Sequence, residues 1–270
     1  MVKKLSDIYL FSDVDGTLHS AKTGIPPRNL EAIQRFVSKG GNFGLATGRS
    51  AVTAQIFFDQ LPINAPCLCV NGGGVYDVQK GKYLYTKFLP PEAREYAQMF
   101  LERYPEIDMA VVADTGYYYV ADPTKAIRRM KMRHMTDNPL FEREIEGNWF
   151  KLLFNTKDED CKRILGEMEA LHLPGVTFTT SDTYFIEMMP EGTSKGAAIL
   201  AICDILGLEV DQTVAVGDYY NDLEMLRTAG HSACVAGAPD DIKEIVDEVL
   251  CSCEDGALAD LIERLESRYE

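Results

Sequence analysis

The sequence predicts an α/β fold, a Rossmann-like parallel sheet core interrupted by an inserted α+β domain. Three observations lead there. Apolar runs of strand length alternate with helical patterns near both ends of the chain, whereas the middle changes to helices among paired short strands. Loops rich in acids, hydroxyls or glycine follow the apolar runs, where a parallel sheet has its carboxyl edge and open α/β folds hold their ligands.

Taken in order, residues 9–14 read as the first strand, and residues 27–39 as a helix with Leu30, Ile33, Phe36 and Val37 on one face, closed by Gly40-Gly41. A second strand over 42–46 ends at Thr47-Gly48-Arg49-Ser50, a helix follows over 51–61, and a third strand over 66–70 ends at Asn71-Gly72-Gly73-Gly74. Such βα punctuation predicts a parallel sheet covered by helices. From about residue 84 the pattern is a helix (91–104), strands (109–113 and 117–121), a basic segment, a strand (150–155), a helix (158–171) and two strands (176–180 and 184–188). After Pro190 the parallel texture resumes, with a helix over 194–206, a strand over 213–216, a helix over 222–229, a strand over 232–235 and a terminal helix. The expected division is therefore a core of residues 1–84 and 190–270 around an insert of residues 85–189.

Composition narrows the function classes. A chain of 270 residues with 46% hydrophobic content can bury a sizeable core, and its formal net charge of −15 argues against a nucleic-acid or anionic-membrane surface. No apolar run approaches the ~20 residues of a membrane span. Met1-Val2-Lys3-Lys4 leads straight into a strand without a signal-peptide core, so a cytoplasmic location is expected. The seven cysteines, among them Cys67, Cys69, Cys251 and Cys253, match neither a zinc pattern nor a disulfide framework and read as reduced, partly buried thiols. Nothing in the pattern specifies an oligomeric state.

Four segments carry reactive groups. In Asp13-Val14-Asp15-Gly16-Thr17, two acids one residue apart near a buried edge cannot both ionise cheaply unless a cation lies between them or one keeps a proton. One carboxylate of such a pair can attack phosphorus while the other protonates the leaving alkoxide and then activates water. A calcium loop is excluded, because Gly16 follows Asp15 directly. Thr47-Gly48-Arg49 offers a hydroxyl and open backbone N–H groups to phosphate oxygens, or is simply a turn and helix cap. In Gly192-Thr193-Ser194-Lys195-Gly196, Thr193 or Ser194 caps the next helix. Lys195 then faces the positive end of its dipole, a placement unfavourable by ~0.3–1 kcal/mol unless an anion is near. Gly217-Asp218-Tyr219-Tyr220-Asn221-Asp222 supplies hard oxygen ligands suited to Mg2+, with Asp218 expected as direct ligand and Asp222 as an outer partner or a helix cap.

In order and spacing these segments resemble the four motifs of the haloacid dehalogenase superfamily, and more narrowly its Cof-type sugar-phosphate phosphatases with an inserted type IIB cap domain. The resemblance spans the whole chain. It implies Asp13 as nucleophile and Asp15 as general acid and base, with Mg2+ on Asp13, Asp218 and the Asp15 backbone carbonyl. It also implies phosphate held by Thr47, Gly48, Lys195 and Asn221. One departure stands out: after Asn71-Gly72 the family usually has alanine, whereas this chain has Gly73-Gly74. The expected activity is Mg2+-dependent hydrolysis of a small phosphorylated metabolite, with no nucleic-acid or membrane partner. A phosphomutase of related fold and a non-catalytic sugar-phosphate sensor are the rival readings. In the insert, Tyr117-Tyr118-Tyr119 should split between two sheet faces, and the basic stretch from Arg128 to His134 reads mostly as solvated surface.

Overall fold

Leu10 and Phe11 have no exposed surface, as a strand covered on both faces requires. They lie in β1 (Tyr9–Ser12), the first strand of a computed structural model that describes residues 4–120 and 145–269. The chain divides into two compact units, Met1–Thr86 with Ser194–Glu270, and Lys87–Thr193. In the first unit, β1 is followed by α1 (Pro27–Ser38), β2 (Asn42–Leu45), α2 (Ala51–Phe58), β3 (Cys67–Cys69), β4 (Gly74–Asp77) and β5 (Lys82–Thr86). Ala32, Ile33 and Phe36 repeat at helical spacing and form the buried face of α1. Full burial of a side chain such as Phe36 stabilises the unit by about 1.5–3 kcal/mol.

The second unit contains α3 (Ala93–Arg103), β6 (Asp108–Ala113), β7 (Gly116–Val120), β8 (Trp149–Asn155), α4 (Asp158–Glu169), β9 (Val176–Asp182) and β10 (Phe185–Pro190). Its strands form an antiparallel sheet in the order β7-β6-β8-β10-β9. Met109, Val111, Phe154, Ile186 and Met188 build its core together with Phe100, Ile164 and Met168 from the two helices. The opposite sheet face holds a buried ion pair, Lys151 Nζ to Glu187 Oε2 at 2.8 Å. Tyr118 packs against the core, and Tyr117, one residue earlier in the same strand, lies on the other face. The stretch from Arg128 to His134 lies outside the described residues.

After the second unit the chain returns through α5 (Lys195–Leu206), β11 (Thr213–Gly217), α6 (Leu223–Thr228), β12 (His231–Cys234), α7 (Asp240–Lys243), β13 (Glu248–Val249) and α8 (Ala257–Tyr269). These strands complete a parallel sheet in the order β13-β12-β11-β1-β2. The polar Asn29, in the first turn of α1, is buried, and its Oδ1 accepts the Ala259 N–H at 2.9 Å and so satisfies a donor in the first turn of α8.

One strand keeps its expected direction but not a continuous ladder to the sheet. Residues 66–70 were expected as a third parallel strand; β3 does run parallel to β2, but it meets the first sheet through the single parallel bridge Ala46–Leu68, and its regular ladder is antiparallel with β4, which in turn pairs antiparallel with β5. The reason lies in the donors of β2. Phe43 N–H goes to Asn64 Oδ1 at 2.7 Å and Leu45 N–H to Cys67 Sγ at 3.2 Å, so side chains take the bonds a regular ladder would use. All seven cysteines are free, and burial pushes the Cys67 thiol up to about 12, which makes it an inert packing group. No described helix is long and apolar enough to cross a membrane.

Candidate active site

Each predicted segment lies where a strand of the first unit ends or a helix begins. β1 stops at Ser12, and the Asp13 N–H still bonds to Val216 O at 2.9 Å, which anchors the loop between β1 and β11. Ser194 rather than Thr193 caps α5, its hydroxyl accepting the Ala197 N–H at 3.0 Å, and Lys195 is the first helical residue.

Lys195 has no exposed surface, and its Nζ lies 2.6 Å from both Asp13 Oδ1 and Asp222 Oδ1. Those two carboxylates are the anions that its position at the helix start calls for. Burial alone would lower the Lys195 ammonium, but Asp13 and Asp222 outweigh it and hold the group well above the ordinary lysine value. Asp13 is itself raised, first by burial and then by the charges of Asp222 and Asp218, against the opposing pull of Lys195. Burial and Asp222 push Asp218 up to about 6, against Thr17 and Lys195.

Asp13, Asp218 and Asp222 each offer a carboxylate oxygen within 4.8 Å of the others. Three acids around one ammonium leave uncompensated negative charge in a site shielded from water. An all-oxygen donor set of this kind fits a hard divalent cation such as Mg2+. Asp222 is already engaged: its Oδ2 accepts the Asp218 N–H at 3.0 Å, and no side-chain bond from it caps α6. Asp218 is held by Thr17, whose Oγ1 donates to its Oδ1 at 2.9 Å. Gly16, at φ 99°, allows that approach, because a Cβ there would overlap the Asp218 carboxylate.

The Asp15 side chain is not part of this cluster. It is 52% exposed and gripped by Arg49, whose Nε and Nη2 donate to its two oxygens at 2.8 and 2.9 Å. Thr47 is buried, and its Oγ1 accepts the Arg49 N–H at 3.1 Å. Gly48 follows it, half-buried, and Asn221 is half-buried in the single turn Tyr220–Asp222, immediately before Asp222. Three residues had no role in the sequence reading: Arg49, Thr17 and Asn71. The first two stand inside the motifs already quoted, but a bidentate grip or a hydroxyl bond to a distant loop has no signature in spacing. Asn71 lies in a left-handed turn after β3, with Val70 at φ 54° and Asn71 at φ 51°. A β-branched residue at positive φ stores about 1–3 kcal/mol of strain and is retained where surrounding structure fixes it.

The profile of the haloacid dehalogenase-like hydrolase family matches residues 10–262. A 5-amino-6-(5-phospho-D-ribitylamino)uracil phosphatase of Bacillus subtilis is 29% identical over 279 residues, covering 94% of this chain and 96% of its own length. The HMP-PP phosphatase of Serratia proteamaculans is 27% identical over 263 residues, covering 95% of each chain. Among solved structures, a haloacid dehalogenase-like hydrolase from Bacteroides thetaiotaomicron superposes with a TM-score of 0.82 at 23% identity, over 96% of this chain and 99% of its own.

Proposed function

The chain belongs to the haloacid dehalogenase-like hydrolase family, and from that premise we propose that it is a Mg2+-dependent phosphatase of small phosphomonoesters, sugar phosphates foremost, acting through an aspartyl-phosphate. The observation that carries this reading is the convergence of Asp13, Lys195, Asp218 and Asp222 at the carboxyl edge of one parallel sheet. Asp13, Asp218 and the Asp15 backbone carbonyl would hold the metal, with Asp222 as its outer partner. When bound, Mg2+ supplies charge that lets an anionic phosphate approach the carboxylates.

Asp13 then attacks phosphorus: a new P–O bond forms to its carboxylate, and the bond to the leaving oxygen breaks. Asp15 gives that oxygen a proton, takes one back from water, and the resulting hydroxide displaces phosphate from Asp13. For this, Asp15 must exchange its grip on Arg49 for the leaving group. Lys195 spends two of its N–H bonds on Asp13 and Asp222, which leaves the third for a phosphate oxygen beside Thr47, Gly48 and Asn221. The Lys87–Thr193 unit is assigned to the organic part of the substrate, as an inserted cap. Relatives named for a phosphoribityl compound and for HMP-PP favour small phosphorylated metabolites.

A panel of phosphomonoesters assayed with EDTA and then with added Mg2+ tests the reading. Phosphate release should stop with EDTA, return with Mg2+, and be absent in Asp13→Asn. Full turnover without metal, or more than a few per cent of it in Asp13→Asn, would contradict it.

A further inference from the structure

Val70, Asn71 and Gly72 have φ values of 54°, 51° and 96°, three successive left-handed residues of which only the last is glycine. Asparagine tolerates that region better than most residues, whereas valine does not. The turn is fixed from two sides. On one side, Asn71 N–H bonds to Thr47 O at 3.0 Å and Val70 N–H to Arg49 O at 2.9 Å, so the turn holds both neighbours of Gly48. The Asn71 carboxamide lies against Gly48 itself: a Cβ at Gly48 would fall 3.1 Å from its Oδ1 and 3.2 Å from its Nδ2. On the other side, a Cβ at Gly72 would overlap Ser194 O and fall 3.1 Å from Lys195 N, so the turn rests on the peptide that starts α5. Asn71 is 5% exposed.

We propose that Asn71 is a positioning residue. Its carboxamide, seated by the left-handed turn in the space left by the missing Gly48 side chain, keeps the Thr47–Gly48 loop in register with Lys195. The consequence for phosphate binding rests on the phosphatase reading above. The role explains why a strained turn is kept at the end of β3, since the same three residues touch both segments assigned to phosphate. It also gives Gly48 a structural reason distinct from ligand access: a Cβ there would press on the carboxamide, which would have to shift by a few tenths of an ångström.

Asn71→Gly keeps the left-handed backbone and deletes the carboxamide, and Asn71→Asp keeps the shape but places negative charge beside the loop. The readouts are the inhibition constant for inorganic phosphate, KM and kcat, the melting temperature, and amide hydrogen exchange of residues 47–49 and 194–195. In Asn71→Gly, we expect phosphate inhibition and KM to weaken about tenfold or more while kcat stays within about threefold. Exchange should quicken in both segments while the melting temperature stays near that of the parent. Asn71→Asp should weaken phosphate inhibition further. Parental phosphate inhibition and parental exchange at Gly48 in both variants would overturn the role, as would a loss that only follows the unfolded fraction. If the parent enzyme releases no phosphate from any monoester, the phosphatase reading falls, and the exchange comparison still decides whether Asn71 holds the two segments together.

Discussion

With its ammonium 2.6 Å from two carboxylates and no exposed surface, Lys195 offsets much of the negative charge in a site that also holds Asp218. Lys195→Met keeps the stem and deletes the charge, leaving Asp13 and Asp222 buried without their partner. Breaking a buried pair in this way should cost about 3–5 kcal/mol in urea unfolding in metal-free buffer. The loss should shrink when Mg2+ is added, and turnover should fall by about a hundredfold or more. An equally stable variant in metal-free buffer would show that the ion pairs contribute nothing. Asp13, Lys195, Asp218 and Asp222 were legible in the sequence because each follows an apolar strand or opens a helix, even where 182 residues separate partners. The grip of Arg49 on Asp15 was not legible, because it depends on where two side chains point once the loops are folded.

Elements were readable in proportion to their length. α1 carries a clear amphipathic pattern, and β11 a continuous apolar run. In contrast, β13 has two residues and α7 four, too few for a period to show. The hairpin of β4 and β5 was missed because Gly72-Gly73-Gly74 reads as punctuation and Lys82–Thr86 is largely exposed. What holds so short a strand as β13 is tertiary. Glu248 accepts from Arg264 Nη1 at 2.8 Å, lies 2.6 Å from Arg268 Nη2, and meets His231 Nε2 at 2.7 Å, tying the sheet edge to α8 and β12. Burial alone would raise the Glu248 carboxyl, but these hydrogen bonds outweigh it and hold it below the ordinary value of 4.5. A lowered carboxyl stabilises the folded state above its unfolded value, and that contribution fades as pH falls through the folded value. The melting temperature of Glu248→Gln should therefore lie furthest below that of the parent at neutral pH, with the gap closing at pH below 4.5. A gap that is constant down to acid pH would contradict this.

At the scale of the molecule, the chain leaves the first unit after Thr86 and re-enters it at Ser194, and Asp13, Lys195, Asp218 and Asp222 all belong to that unit. The sequence changes texture near residues 84 and 190 because parallel strands buried on both faces and antiparallel strands with one apolar face leave different patterns. Replacing residues 87–193 with a short linker should spare turnover of a small aryl phosphate more than discrimination among sugar phosphates. Unchanged sugar-phosphate preference in a folded variant would remove the selecting role of the second unit. The central claim is that phosphate passes through the carboxylate of Asp13. Asp15→Asn should slow the water step, and with a labelled aryl phosphate, whose leaving oxygen needs no proton from Asp15, rapid acid quench should accumulate protein-bound label. The account predicts that mass spectrometry places the label on Asp13 and that Asp13→Asn carries none. Product formed at the parental rate with no labelled Asp13, or label on another residue, would contradict it.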